Sequence, residues 1–153
     1  MTEYDHIPVM CSEVLAMLQV KPDGVYIDGT VGLGGHSEAI LAQLGPQGRL
    51  LGIDRDESAL KRAAERLESE RVSLKKAALS ELQHVAAESG IQSCDGIFFD
   101  LGVSMMQLKM YERGFSFQSE YQLDMRMDKT QAVSAWHLVN EASEQELARI
   151  IYE

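Results

Sequence analysis

Basic residues are scarce in this chain: 14 Lys and Arg stand against 24 Asp and Glu, a formal charge of −10. Phosphate-binding surfaces want clustered cations, so charge alone gives no support for a nucleic-acid partner. The basic residues that exist are uneven, and the group Lys61, Arg62, Arg66, Arg71, Lys75 and Lys76 reads as a solvated face. Cysteine is equally sparse. Cys11 and Cys94 match no metal-ligand or redox spacing and read as two buried thiols in a reducing cytoplasm, with no metal implied. No apolar run approaches the roughly 18 residues needed to span a bilayer, so no membrane partner is expected. Met1-Thr2-Glu3-Tyr4-Asp5-His6 is polar and acidic, unlike a signal or transit peptide. The expectation is a cytoplasmic globular protein, and 153 residues suffice for one domain with a real core.

Glycine, by contrast, is concentrated where it matters. Val25-Tyr26-Ile27-Asp28 is a short apolar run ending on an acid, followed by Gly29, Gly32, Gly34, Gly35 and His36. Ser37 to Leu44 has helix-forming character, Gly45 and Pro46 stop it, and Leu50-Leu51-Gly52-Ile53 ends on Asp54. This is a β-turn-α-β unit whose loop lets backbone approach a nucleoside-like ligand closely. Asp54 sits where a ribose diol would be held. A GxGG turn alone also occurs as a plain tight turn; the flanking strand, helix and acid carry the reading. No Lys-Ser or Lys-Thr follows the glycines, which excludes a P-loop. An acid at the start of the loop, Asp28, suits folds that bind S-adenosylmethionine better than those that bind NAD. A sulfonium and an ammonium tolerate an acidic pocket that a pyrophosphate would not.

Apolar periodicity predicts four repeats of strand then helix. An opening helix spans about Ser12 to Gln19, with Ser12 as N-cap and Val14, Leu15 and Leu18 on one face. Asp56 caps a helix with Ala59, Leu60, Ala63, Ala64 and Leu67 inward, and Arg71 to Leu74 is a third strand. Ser80-Glu81-Leu82-Gln83 reads as a capping box for a helix closed by Gly90, and Gly96 to Asp100 is a fourth strand. Such alternation implies a parallel sheet covered on both faces, with ligands at the carboxyl ends of the strands. Asp28, Asp54 and Asp100 are all expected there. From Leu101 to Asp128 the alternation breaks into a long ordered loop or small insertion. Helices resume at Ala132 to Asn140 and after a second capping box at Ser143-Glu144-Gln145-Glu146.

Asp100, in Asp100-Leu101-Gly102-Val103-Ser104, is a candidate for orienting an amine toward a methyl donor, since in-line transfer depends mostly on positioning. The alternative is that it caps the following turn. His6 reads as structural, whereas His36 would face the cofactor if it opens the helix. Phe115, Phe117 and Trp136 read as core ahead of a base-stacking platform, although flipped bases do use such surfaces.

Taken together, the motifs identify a resemblance. His6-x-Pro8-Val9, Asp28-Gly29-Thr30-x-Gly32-x-Gly34-Gly35-His36-Ser37, Asp54-Arg55-Asp56, Asp100-Leu101-Gly102-Val103-Ser104, Gln107-Leu108, Arg113-Gly114-Phe115-Ser116-Phe117 and Leu123-Asp124-Met125-Arg126-Met127-Asp128 resemble the MraW/RsmH-type methyltransferases. Those enzymes modify the N4 amine of a cytosine in 16S ribosomal RNA of the small subunit. The resemblance implies a Rossmann-like class I methyltransferase sheet, α/β and incomplete, followed by the start of a helical insertion. Residues 1–104 would be the S-adenosylmethionine-binding domain, and 105–153 the active-site loop and the beginning of the insertion. Family members are about twice as long, so this would be an N-terminal portion. Gly32, Gly34, Gly35 and His36 would line the cofactor site, with Asp28 at its ammonium side and Asp54 on its ribose. Leu79 would flank the adenine, and Asp100 and Gln107 would complete the pocket. Asp100 would be catalytic, and Arg113, Phe115, Asp124 and Arg126 would border the target cytosine. The chain reads Ser104-Met105-Met106-Gln107-Leu108-Lys109 where the family usually reads Ser-Ser-Pro-Gln-Leu-Asp, and Leu79 stands where an aromatic is common. The partners implied are the ribosomal RNA or small subunit, with a homodimer open. The competing readings are a truncated cofactor-binding module without activity of its own and an NAD-linked oxidoreductase.

Overall fold

Period-two alternation in the central strands decides which residues become core. In this computed structural model, which describes residues 8–153, β1 (Val25–Asp28), β2 (Arg49–Asp54), β3 (Val72–Lys76) and β4 (Gly96–Phe98) form one parallel sheet. Its order is β3-β2-β1-β4. Tyr26 stands beside Leu50 and Ile27 beside Leu51, so neighbouring strands present matched residues to the same face. Ile27, Leu51 and Ile53 pack against Val85 and Ala86 of α4 (Leu82–Glu88). On the opposite face Tyr26 and Leu50 pack against Ile40 of α2 (Gly35–Gln43) and the Leu44 that follows it, with Leu15 and Leu18 of α1 (Cys11–Leu18) behind. Leu60 and Ala63 of α3 (Glu57–Arg66) close over Val31 and Leu67. Each fully buried aliphatic here contributes about 1.5–3 kcal/mol.

The chain runs outward from β1 through β2 to β3, then crosses back to place β4 on the other side of β1. That reversal makes β1 and β4 the switch point of the sheet, and ligands of open parallel sheets bind beyond the carboxyl ends of the strands at such a point. The sheet therefore confirms the expected class and aims the glycine loop at the expected rim.

Local expectations fared unevenly. Asp56 caps α3 as read, accepting from the Ser58 amide at 3.0 Å, and Ser143 caps α7 (Glu144–Tyr152) through the Glu146 amide at 3.2 Å. Ser12 is not a cap. Met10 enters α1 in the left-handed region at φ 53°, and the Ser12 hydroxyl donates to Glu13 instead. Ser80 lies inside a 3-10 turn, Leu79–Glu81, where the Glu81 carboxylate accepts from the Ala78 amide at 2.8 Å. Gly90 ends α4 as predicted, at φ 73°. Ala64 is exposed, so the apolar stripe of α3 is narrower than its sequence suggests. Arg71 is not a solvated cation; its guanidinium donates to the Leu44 and Gly45 carbonyls at 2.7 and 3.2 Å. Cys11 and Cys94 are free and half-buried, not fully buried. His6 lies outside the described residues.

The chain divides into two units, Met1–Leu101 and Gly102–Glu153. The second is more regular than its sequence suggests. It holds α5 (Met105–Lys109), a 3-10 turn over Tyr111–Arg113, α6 (Ala135–Glu141, starting later than expected) and α7. Among the described residues no helix is long and apolar enough to cross a membrane.

Candidate functional site

The glycine loop is built around two carboxylates that do different work. Asp28, at the end of β1, is only 1% exposed. One of its oxygens accepts from the Thr30 amide at 3.0 Å and the other from the Ser37 hydroxyl at 2.7 Å. Burial pushes its pKa up, opposed by those two hydrogen bonds and by His36. Asp54, at the end of β2, accepts from the Gly32 amide at 2.8 Å and the Asp56 amide at 2.9 Å, one bond to each oxygen. Burial pushes this carboxyl up as well, again opposed by its backbone donors. A carboxylate has about four lone-pair sites, so Asp54 keeps acceptor capacity for a diol after both bonds are made.

Glycine is required at two points of this loop. Gly32 adopts φ 50° as it presents its amide to Asp54, and Gly34 adopts φ 82° as it opens α2. A Cβ on Gly34 would lie 3.1 Å from Leu67, so the loop is also pressed onto the end of α3. His36 opens α2 but is buried: its Nε2 bonds the Val9 carbonyl at 2.8 Å and its ring tilts against Phe98 at 4.6 Å. Within the unit it clasps the Pro8–Val9 segment to the loop, and Gly35 packs against Pro8.

Asp100 does not end a strand. Pairing of β4 with β1 stops at Phe98, whose carbonyl accepts from the Gly29 amide at 3.0 Å. Two residues on, the Asp100 amide donates to the Thr30 hydroxyl at 2.7 Å, and the Asp100 side chain is left exposed at the rim. Leu79 and Phe99 both lie over Gly29, where a Cβ would strike them. Asp28, Gly32, Gly34, Gly35, His36, Asp54, Leu79 and Asp100 are thus brought to one end of the sheet.

Gln107 belongs to the second unit. It is buried, and its side chain accepts from the Ser104 amide at 3.0 Å while its own amide donates to the Ser104 hydroxyl, a reciprocal cap on α5. Arg113 is 2% exposed and donates to the Arg126 and Met127 carbonyls at 3.0 and 3.1 Å, with its guanidinium 5.9 Å from the Phe115 ring. Arg126 forms a bidentate pair with Asp124 at 2.7 and 2.9 Å and donates to the Gln131 carbonyl at 2.6 Å. The Arg126 guanidinium holds the Asp124 carboxyl down at about 2. Both arginines are engaged in building the loop that carries them. The aromatic residues expected in the core are not all there: Phe117 is fully exposed and Trp136 is 37% exposed. Phe117 lies in an irregular turn and Trp136 in the seven-residue α6, neither of which buries more than one face.

Sequence reasoning gave no role to Thr30 or Ser37. Ser37 sits at the first turn after an acid-ended strand, a signal for a buried carboxylate partner. No local signal links Thr30 to Asp100.

The MraW methylase family matches residues 3–153. A curated relative called ribosomal RNA small subunit methyltransferase H, from Caldicellulosiruptor saccharolyticus, is 47% identical over 98% of this chain and 49% of its own length. Another of the same name, from Symbiobacterium thermophilum, is 45% identical over 98% of this chain and 48% of its own. The chain spans about half the length of the curated relatives it matches. Among solved structures, a SAM-dependent O-methyltransferase from Thermotoga maritima aligns with TM-score 0.51 and 27% identity, covering 61% of this chain and 35% of that one. Precorrin-6y C5,15-methyltransferase from Geobacter metallireducens aligns with TM-score 0.52 at 18% identity, over 70% and 55%, a likeness of fold.

Proposed function

The chain belongs to the MraW methylase family, and from that premise we propose that it takes part in methyl transfer from S-adenosylmethionine to the N4 amine of a cytosine in 16S ribosomal RNA. The observation that carries this reading is the pairing at one rim of a diol acceptor, Asp54, with an exposed carboxylate, Asp100. The names of the relatives, which specify small-subunit ribosomal RNA, support the substrate.

When bound, S-adenosylmethionine supplies a methyl group on a sulfonium. The chain's own residues then have separable tasks. Asp54 holds the ribose hydroxyls with the lone pairs that Gly32 and Asp56 leave free. Asp28 works from beneath the loop, fixing Thr30 and Ser37 and setting a negative potential on the ammonium side. Leu79 and Phe99 offer apolar surface for the adenine. Asp100 accepts a hydrogen bond from the cytosine amine and aims the nitrogen lone pair in line with the methyl carbon. The family match alone extends the proposal to Gln107 for the cofactor and to Arg113, Phe115, Asp124 and Arg126 for the target base. Small subunits lacking the modification, incubated with the protein and methyl-labelled S-adenosylmethionine, should acquire label on a cytosine amine. Asp100→Ala should abolish that label while cofactor affinity stays within about tenfold, 1.4 kcal/mol. Full labelling by Asp100→Ala would sink the role given to Asp100.

A further inference from the structure

One residue, Thr30, ties the Asp28 carboxylate to the backbone of Asp100. Thr30 uses its backbone and its hydroxyl in opposite directions. Its amide donates to Asp28 at 3.0 Å, and its Oγ1 accepts from the Asp100 amide at 2.7 Å. Asp28 is tied in turn to the first turn of α2 by the Ser37 hydroxyl at 2.7 Å. The Gly29 amide donates to the Phe98 carbonyl at 3.0 Å, so backbone pairing runs up to Phe98 and the Thr30 hydroxyl continues it by one rung. Asp100 is exposed and lies past the last strand pair, so packing does not hold it. The Thr30 bond fixes its backbone to the glycine loop.

We propose that Thr30 is a positioning residue for methyl transfer: its hydroxyl fixes Asp100 relative to the glycine loop, so that the amine-orienting carboxylate and the cofactor's binding surface share one frame. This rests on the methyltransferase reading above and adds a residue to it. The hydroxyl gives the Asp100 amide an acceptor fixed to the glycine loop, where water would satisfy the amide without fixing it. Threonine suits the position because its branched Cβ leaves few χ1 states, which keeps Oγ1 aimed at Asp100. Valine has the same shape without the acceptor, and serine keeps the acceptor with a looser rotamer.

Thr30→Val and Thr30→Ser, made in the full chain, separate this role from simple folding. Amide exchange at Asp100 should speed at least roughly tenfold in Thr30→Val, the loss of about one hydrogen bond, and return toward parent in Thr30→Ser. The Gly32 amide, bonded to Asp54, should not change. Affinity for S-adenosylhomocysteine should stay within about twofold, while the single-turnover rate of methyl transfer to small subunits falls roughly tenfold to a hundredfold in the valine variant, as misplacement of a reacting group predicts. Thr30→Ser should recover most of that rate with KM unchanged. Transfer at the parent rate by Thr30→Val, or unchanged exchange at Asp100, overturns the inference and leaves the methyltransferase reading standing. A parent protein that binds S-adenosylhomocysteine but methylates no small subunit overturns the reading itself, and the role of Thr30 with it.

Discussion

In the first unit the carboxyls of Asp28 and Asp54 are pushed up by burial, whereas in the second Asp124 is held down at about 2 by the guanidinium bonded to it. The two units thus spend acidic residues in opposite ways. Asp28 and Asp54 are kept in surroundings that disfavour their charge, offset by backbone and hydroxyl donors and, for Asp28, by His36, the kind of group a ligand site retains at a cost in stability. Asp124 is satisfied within its own loop and works for stability. The signs of their pH responses follow. A raised carboxyl contributes stability below its unfolded pKa and loses it as pH rises through the folded value. Asp124 contributes stability above its unfolded value, about 3.9, that is lost as pH falls toward about 2.

The largest blow to this contrast should come from Arg113. Arg113→Ala leaves the Arg126 and Met127 carbonyls without their buried donor and should destabilise the second unit by about 3 kcal/mol. Trp136, the single tryptophan, reads that unit by fluorescence in a urea titration. A loss below about 0.5 kcal/mol would show that Arg113 does not anchor the loop. Gly34→Ala comes next: at φ 82°, with Leu67 3.1 Å from the new Cβ, it should cost about 1–3 kcal/mol and weaken binding of S-adenosylhomocysteine. Parent-like affinity would mean that the loop's conformation is not what the ligand requires. Acid titration should move Trp136 fluorescence between about pH 4 and pH 2 in the parent but not in Arg126→Met, whose pair with Asp124 is already absent. Identical titrations would assign the transition elsewhere. Phe117→Ala should be the mildest, within about 0.5 kcal/mol by the same fluorescence, because the ring is fully exposed. A larger loss would place Phe117 in a packing role.

The first unit was largely legible before its structure was known, and for a local reason. Strand, glycine turn, helix and strand follow one another within Val25 to Asp54, and each carries its own period or breaker. Asp28, Gly32 and Asp54 fall at the rim because strands of fixed rise end where their apolar run ends. What escaped is what depends on topology. Thr30 and Asp100 are 70 residues apart and meet only because β4 returns beside β1. Ser12 and Ser80 satisfied a local capping rule that the entering backbone overrode at Met10 and Ala78. In the second unit the helices could be read, but residues 114–134 between them have no helical or strand period, and Asp124 and Arg126 pair there across a turn, at a separation no helix face brings together. Their motif pointed to function; the structure adds that the same side chains build the loop.

The rim of the first unit is proposed above as an S-adenosylmethionine site. Calorimetric titration of the protein with S-adenosylhomocysteine and, separately, with NADH tests it most directly. Saturable binding of S-adenosylhomocysteine that weakens at least about tenfold in Asp54→Ala is expected, with no binding of NADH. Binding of NADH without S-adenosylhomocysteine would contradict it.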